Sequence, residues 1–318
     1  LSARENIADA LKSANMNILD AMNIPRATLA SADISGLLRQ GGVAAARHPV
    51  ATLKMVRPML RAMFNPKYAQ EVERTVFADP AVQKFLRPSL PHQLYIAPLP
   101  EKVTSLLVKE EAFMSNLVMR VPVLKQMIGT SARAFATGLN LMRANLARNA
   151  ENRWIKQFEK IGVKATDTDY SEMARLINVA TGRGDLGALN RYAPLLNATL
   201  FSPRLFISRF QWPTMIFSPS REVRVEAWKQ IGSFLSAVGS VLAVAKLSGA
   251  ASVELDPRSS DFGKMKVGDT RLDIWTGYAQ YLRFIAQLTV AQRKTAGGYV
   301  LPFNRSEVIW RFTQSKMS

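Results

Sequence analysis

Apolar side chains recur at three- and four-residue steps over most of the chain, the spacing of helix faces rather than of strands. Between residues 131 and 161 the stripe is clearest: Phe135, Leu139, Met142, Leu146, Ala150, Trp154, Phe158 and Ile161. Arg133, Arg148, Arg153, Lys156 and Lys160 occupy the other side. This predicts a core-facing helix whose basic back is either solvated or turned to nucleic acid. Ile7, Leu11, Met16, Ile18 and Met22 predict a helix over 4–22, and similar spacing predicts another from Lys102 to about Met127. A further helix ends at Ala180, before the glycine turn of Thr181-Gly182-Arg183-Gly184. After Pro49, Leu53, Val56, Leu60 and Phe64 mark a helix with Lys54, Arg57 and Arg61 beside them, limited or kinked by Pro58. Residues 23–43, with Pro25 and Gly41-Gly42, look like a loop, and the prolines of 87–100 predict an extended connector.

Two segments depart from this rhythm. Ser218-Pro219 looks like a helix cap followed by a first-turn proline, and Ile231 to Ala245 then carries no charge. Spanning a bilayer takes about 20 apolar residues. Here Lys246 interrupts the run, and Gly232, Ser233, Ser236, Gly239 and Ser240 are interspersed. A buried central helix is the favoured reading, with conditional membrane insertion as the alternative. Farther on, Lys264 to Val267 and Thr270 to Ile274 alternate about Gly268-Asp269, a dipeptide suited to a two-residue hairpin turn. The alternation puts Met265, Val267, Thr270, Leu272 and Ile274 on one face. Lys264, Lys266, Arg271 and Asp273 fall on the other, with Lys266 opposite Arg271. A like-charge pair there is unfavourable unless both heads flare into water or an anion sits over them. A long amphipathic helix should start near Trp275, with the apolar hairpin face against it.

The 318 residues are 48% hydrophobic and 21% charged, globular values with room for real cores. Lysine and arginine total 42 against 24 acids, giving +18, and the excess is spread along the chain. Such a distribution favours a polyanion or an acidic partner over a local targeting patch. The absence of cysteine excludes disulfides, thiolate metal sites and cysteine nucleophiles. His48 and His92 each neighbour a proline and have no metal-ligand spacing. The Gly182–Gly187 cluster fails both phosphate-loop frames. Asp167 with Asp169, and Glu110 with Glu111, suit capping and helix-surface roles. Asp256-Pro257-Arg258-Ser259-Ser260-Asp261 suits a loop closed on itself by Asp–Arg and Asp–backbone bonds. No cofactor, metal or catalytic site is expected. The start at Leu1 suggests a portion of a longer protein.

The run DPRSSDFGKMKVGDTRLDIWTGYAQYLRFIAQL resembles a stretch of very large internal virion or ejection proteins of tailed bacteriophages, also labelled polyvalent or PLxRFG-type. Asp33 to Gly42, SARAFATGLNLMRANL from Ser131, and INVATGRGDLGALN from Ile177 leading into LFSPRLFISRF are similar to the same group, in one order. The PLxRFG string itself is absent.

The expected fold is mainly α, a multi-helix assembly with one small β-hairpin near 263–275. It divides at about 165 into an N-terminal helical region (1–165) and a C-terminal one (166–318) holding the apolar helix and the hairpin. The resemblance implies a non-enzymatic segment housed in the head or tail lumen and ejected with the genome into the host envelope or cytoplasm. Implied partners are portal, tail or other internal proteins, further copies of the chain, and double-stranded DNA by non-specific electrostatics. Membrane contact would run through 231–253. The alternatives are a nucleic-acid-binding module of an injected effector and an accessory domain of a virion-associated RNA polymerase. Local basic excess and these motifs select Arg133, Arg143, Arg148, Arg204, Arg209, Lys264, Lys266 and Arg271 as nucleic-acid-facing. Asp256, Arg258, Asp261, Gly268 and Asp269 are expected to shape the loop and hairpin.

Overall fold

The computed structural model describes residues 36–99, 122–193, 196, 202–294, 298–302 and 304–315. The helix expected over 4–22 and most of that over 102–127 lie outside them. The chain is mainly α-helical. In order come α1 (Gly36–Arg47), α2 (Pro49–Phe64), α3 (Pro66–Ala78), α4 (Pro80–Phe85), α5 (Pro122–Ile161), α6 (Asp167–Ala180), α7 (Pro203–Thr214) and α8 (Arg221–Leu247). Short strands β1 (Ser252–Val253), β2 (Met265–Val267) and β3 (Thr270–Leu272) follow. Then come α9 (Ala279–Val290), β4 (Gln292–Lys294), β5 (Val300–Pro302) and α10 (Arg305–Gln314).

The organising element is α5, 40 residues and about 60 Å long at 1.5 Å per residue. The expected stripe is inside at Leu139, Met142, Leu146, Ala150 and Trp154, whereas Phe158 and Ile161 are exposed. From Ala132 to Ala147 the helix is covered on nearly every side, so its basic back is not free there. Residues 36–43 are helical rather than loop, because both glycines serve close approach. A Cβ on Gly41 would lie 2.5 Å from Met142 Sδ, and one on Gly42 would lie 2.5 Å from Thr276 Oγ1. Two helices that the apolar spacing did not mark, α3 and α4, begin at Asn65-Pro66 and Asp79-Pro80. Asn65 Oδ1 accepts from Tyr68 N (3.0 Å) and Asp79 Oδ1 from Ala81 N (2.8 Å), the cap-then-proline start. A capping box of Thr166 and Asp169 opens α6, and Ser220, two residues past the expected cap, opens α8.

The 87–99 connector is extended, as its prolines require, yet it is buried through Leu90, Leu94, Ile96, Ala97 and Leu99. Side chains satisfy its backbone in place of a partner strand. Asn140 holds Ala97 at both N–H (2.8 Å) and C=O (2.7 Å). Asn178 accepts from Tyr95 N (2.9 Å) and donates to Gln93 O (2.8 Å), and Ser171 Oγ accepts from His92 N (3.0 Å). One apolar cluster runs from Val43 to Tyr278 and draws on residues from both sides of Gly162.

The hairpin forms with Met265 opposite Leu272, Lys266 opposite Arg271 and Val267 opposite Thr270, and Gly268 turns at a φ of +57°. β1 pairs with β2 and makes a three-stranded sheet. The apolar hairpin face does not lie along the next helix, which starts at Ala279 rather than near Trp275. Met265 alone is buried, in the core cluster with Phe234 and Val238 of α8, while Val267 and Leu272 stay largely exposed. A second antiparallel pair, β4–β5, follows α9, and β4 falls where the long helix was expected to continue to Lys294.

Candidate interaction surface

The apolar run predicted as a buried central helix is one continuous helix, but it is buried on a single face. Val223, Ala227, Gln230, Phe234, Val238 and Leu242 recur at three- and four-residue steps and turn inward. Trp228, Leu235, Val241, Val244 and Leu247 remain exposed, Val244 at 66% and Leu247 at 87%. An added Cβ at Gly232 or Gly239 would meet nothing within 4 Å, so the small residues leave a smooth, open flank. The helix is long and apolar enough to cross a membrane by length and composition, and only 22% of its most apolar stretch is buried. Hydration of such an arc is unfavourable, which suits contact with another surface.

Three arginines chosen as nucleic-acid-facing are instead buried, and each serves backbone carbonyls. Arg133 donates to Ala62 O (2.9 Å) and Met63 O (2.8 Å), closing the last turn of α2. Arg143, with no exposed surface, reaches Thr181 Oγ1 (3.0 Å) and Thr181 O (3.4 Å) and lies over the Tyr95 ring. Arg209 donates to Arg39 O and Thr276 O and lies over the Tyr278 ring, 4.1 Å from its centre. Arg204 is half-buried and bridges Gly184 O to Asn190 Oδ1. Arg148 is exposed but pairs with Asp79 at 2.5 Å. Basic residues in a helical sequence announce a surface, and nothing in their spacing distinguishes those that cap buried carbonyls.

Around the hairpin, the anion over the basic face comes from the chain itself. Asp261 accepts from Lys264 Nζ (2.8 Å) and Arg271 Nε (2.6 Å), which relieves the Lys266–Arg271 juxtaposition. These bonds hold its carboxyl below the usual range, Lys264 first, and outweigh partial burial. Arg258 grips Asp256 through two nitrogens, at 2.9 and 3.0 Å, and depresses that carboxyl strongly. Gly268 and Asp269 are exposed at the hairpin tip. Lys266 is exposed and makes no ion pair among the described residues.

Other titratable side chains pair within the fold. Tyr170 Oη donates to Glu151 Oε2 (2.6 Å), Lys84 pairs with the other oxygen, and Phe85, Trp154 and Tyr170 pack ring to ring beside them. Burial, then the Glu151 bond, pushes the Tyr170 phenol well up. Glu226 is buried between Arg47 (3.4 Å) and Arg153 (3.3 Å). Nearby His48 is held below its ordinary value by burial; Glu226 opposes this, and Arg47 and Arg153 add to it. His92 lies 4.0 Å from Asp185. Among the described residues no group of three His, Asp or Glu side chains is arranged to hold a metal. A cleft of about 620 Å³ between α2 and α5 is lined by His48, Lys54, Met55, Asn145, Arg148 and Asn149.

These features define a mainly α-helical, strongly basic protein with an apolar helix covered on one face. No protein-family model, curated protein or solved structure matches this chain.

Proposed function

We propose that the chain is a non-enzymatic segment of an internal virion protein of a tailed phage, housed in the head or tail lumen and delivered into the host with the genome. The observation that carries an assembly role is the exposed apolar arc of α8, which is too long and continuous to be left to water. The virion setting rests on the four stretches that resemble phage internal proteins in one order. A net charge of +18 tolerates packed DNA, and the absence of cysteine leaves no disulfide to obstruct passage through a narrow tail. In this reading α8 packs on further copies or on portal and tail proteins. DNA meets exposed cations such as Lys156, Lys160 and Lys266, none of which is ion-paired among the described residues.

Mass spectrometry of intact particles and of emptied ghosts tests the reading. The parent protein should be present in the first and depleted from the second. Absence from intact particles would overturn virion residence, and equal amounts in ghosts would overturn delivery.

A further inference from the structure

Three strips run side by side along α2. Thr52, Met55, Met59 and Ala62 are buried against the rest of the fold. The next strip is Leu53, Val56, Leu60 and Phe64, the most apolar positions of the helix, and it faces solvent, with Leu53 at 71% exposure and Phe64 at 78%. Lys54, Arg57 and Arg61 form the third strip, also exposed. At 100° per residue the apolar and basic strips lie side by side, about a quarter turn apart. The helix contains no acidic residue. Lys54 and Arg57 make no ion pair among the described residues, and Arg61 rests over the Tyr68 ring, 4.3 Å from its centre. The exposed part of α2 is therefore itself amphipathic, apolar beside cationic, in a helix already anchored to a folded body.

We propose that this face of α2 seats on an anionic lipid surface. Leu53, Leu60 and Phe64 enter the headgroup–acyl boundary while Lys54, Arg57 and Arg61 meet phosphates, the arrangement of interfacial helices. Double-stranded DNA would use the cations alone and would leave the adjoining apolar strip in water, so charge and hydrophobicity together favour lipid. Packing on the core holds the helix formed before contact, so none of the ordering cost of a free amphipathic peptide remains. The site is distinct from α8, and vesicle binding is independent of whether the chain is carried in particles.

The test is flotation of the full chain with vesicles of phosphatidylcholine alone and of phosphatidylcholine with phosphatidylglycerol. Binding is expected only with the anionic mixture, and it should weaken as salt rises. The double substitution Leu53→Ser with Phe64→Ser should lower partitioning by at least about tenfold. Lys54→Glu with Arg57→Glu should do the same, and all four positions are exposed, so the fold should survive. Leu235→Asp on the open arc of α8 should leave binding within about twofold. Equal binding to neutral vesicles, or indifference to both double substitutions, would overturn the proposal. So would loss through Leu235→Asp alone, or charge-dependent binding to DNA with none to vesicles.

Discussion

Arg143 shows how far a residue type can mislead when its surroundings are unseen. The sequence makes it one cation of a basic region, yet the fold buries it completely and spends its guanidinium on Thr181 at the end of α6. Replacing it with alanine opens a void and strands the Thr181 carbonyl, an expected loss of about 3 kcal/mol. Arg143→Met keeps most of the volume and removes a buried charge, and should cost less than half as much. Urea unfolding of both variants measures the difference, and equal costs would show that the hydrogen bonds outweigh the packing.

Elements were legible in proportion to how far their own sequence decides them. The hairpin was readable to its register, because Gly268-Asp269 fixes the turn and a period of two fixes the faces. The core stripe of α5 was readable for the same reason, until Phe158 and Ile161 run past the covering helices. Burial was not readable where a partner decides it. In α2 the more apolar strip of Leu53, Val56, Leu60 and Phe64 is the outer one, while Thr52, Met55, Met59 and Ala62 go inward against the rest of the fold. The glycines of α1 signalled a loop, whereas their function is contact with Met142 and Thr276, which lie far along the chain. In α8 a run without charge suggested full burial, but the core meets only one side of it. The surface candidates fared similarly: composition located the basic excess, and only the fold separates Lys266, which is exposed and makes no ion pair among the described residues, from Arg133, Arg143 and Arg209, which cap carbonyls.

Taken as a whole, the molecule should be sensitive to acid. Asp79, Asp169 and Asp261 are partly buried, which raises their pKa values, yet hydrogen bonds from Arg148, from Ser220 and Thr166, and from Lys264 and Arg271 bring each below its ordinary value. Their folded values lie below unfolded ones near about 3.9, so the stabilisation is complete above that pH and is lost as pH falls through the folded values. His48, also depressed, adds a smaller loss that begins as pH drops below about 6.5. Asp79→Asn keeps the cap on Ala81 but removes the titrating charge. Its thermal midpoint measured against pH should show a shallower acid limb than the parent chain.

The buried connector ties local motion to the whole body. Residues 87–99 belong to no helix or strand, and irregular backbone ordinarily trades its amide protons with solvent within moments. Here the amides of Tyr95 and Ala97 are donated to Asn178 on α6 and Asn140 on α5, and Tyr95 lies against Arg143 and Arg183. Releasing them requires the connector to lift from these two helices. Deuterium uptake at these two positions should therefore match the slowest amides in the middle of α5. Asn140→Ala should speed Ala97 first, without loosening the hairpin at 265–272. A stretch with no regular structure would then serve as the sentinel of global opening, the last place at which exchange begins.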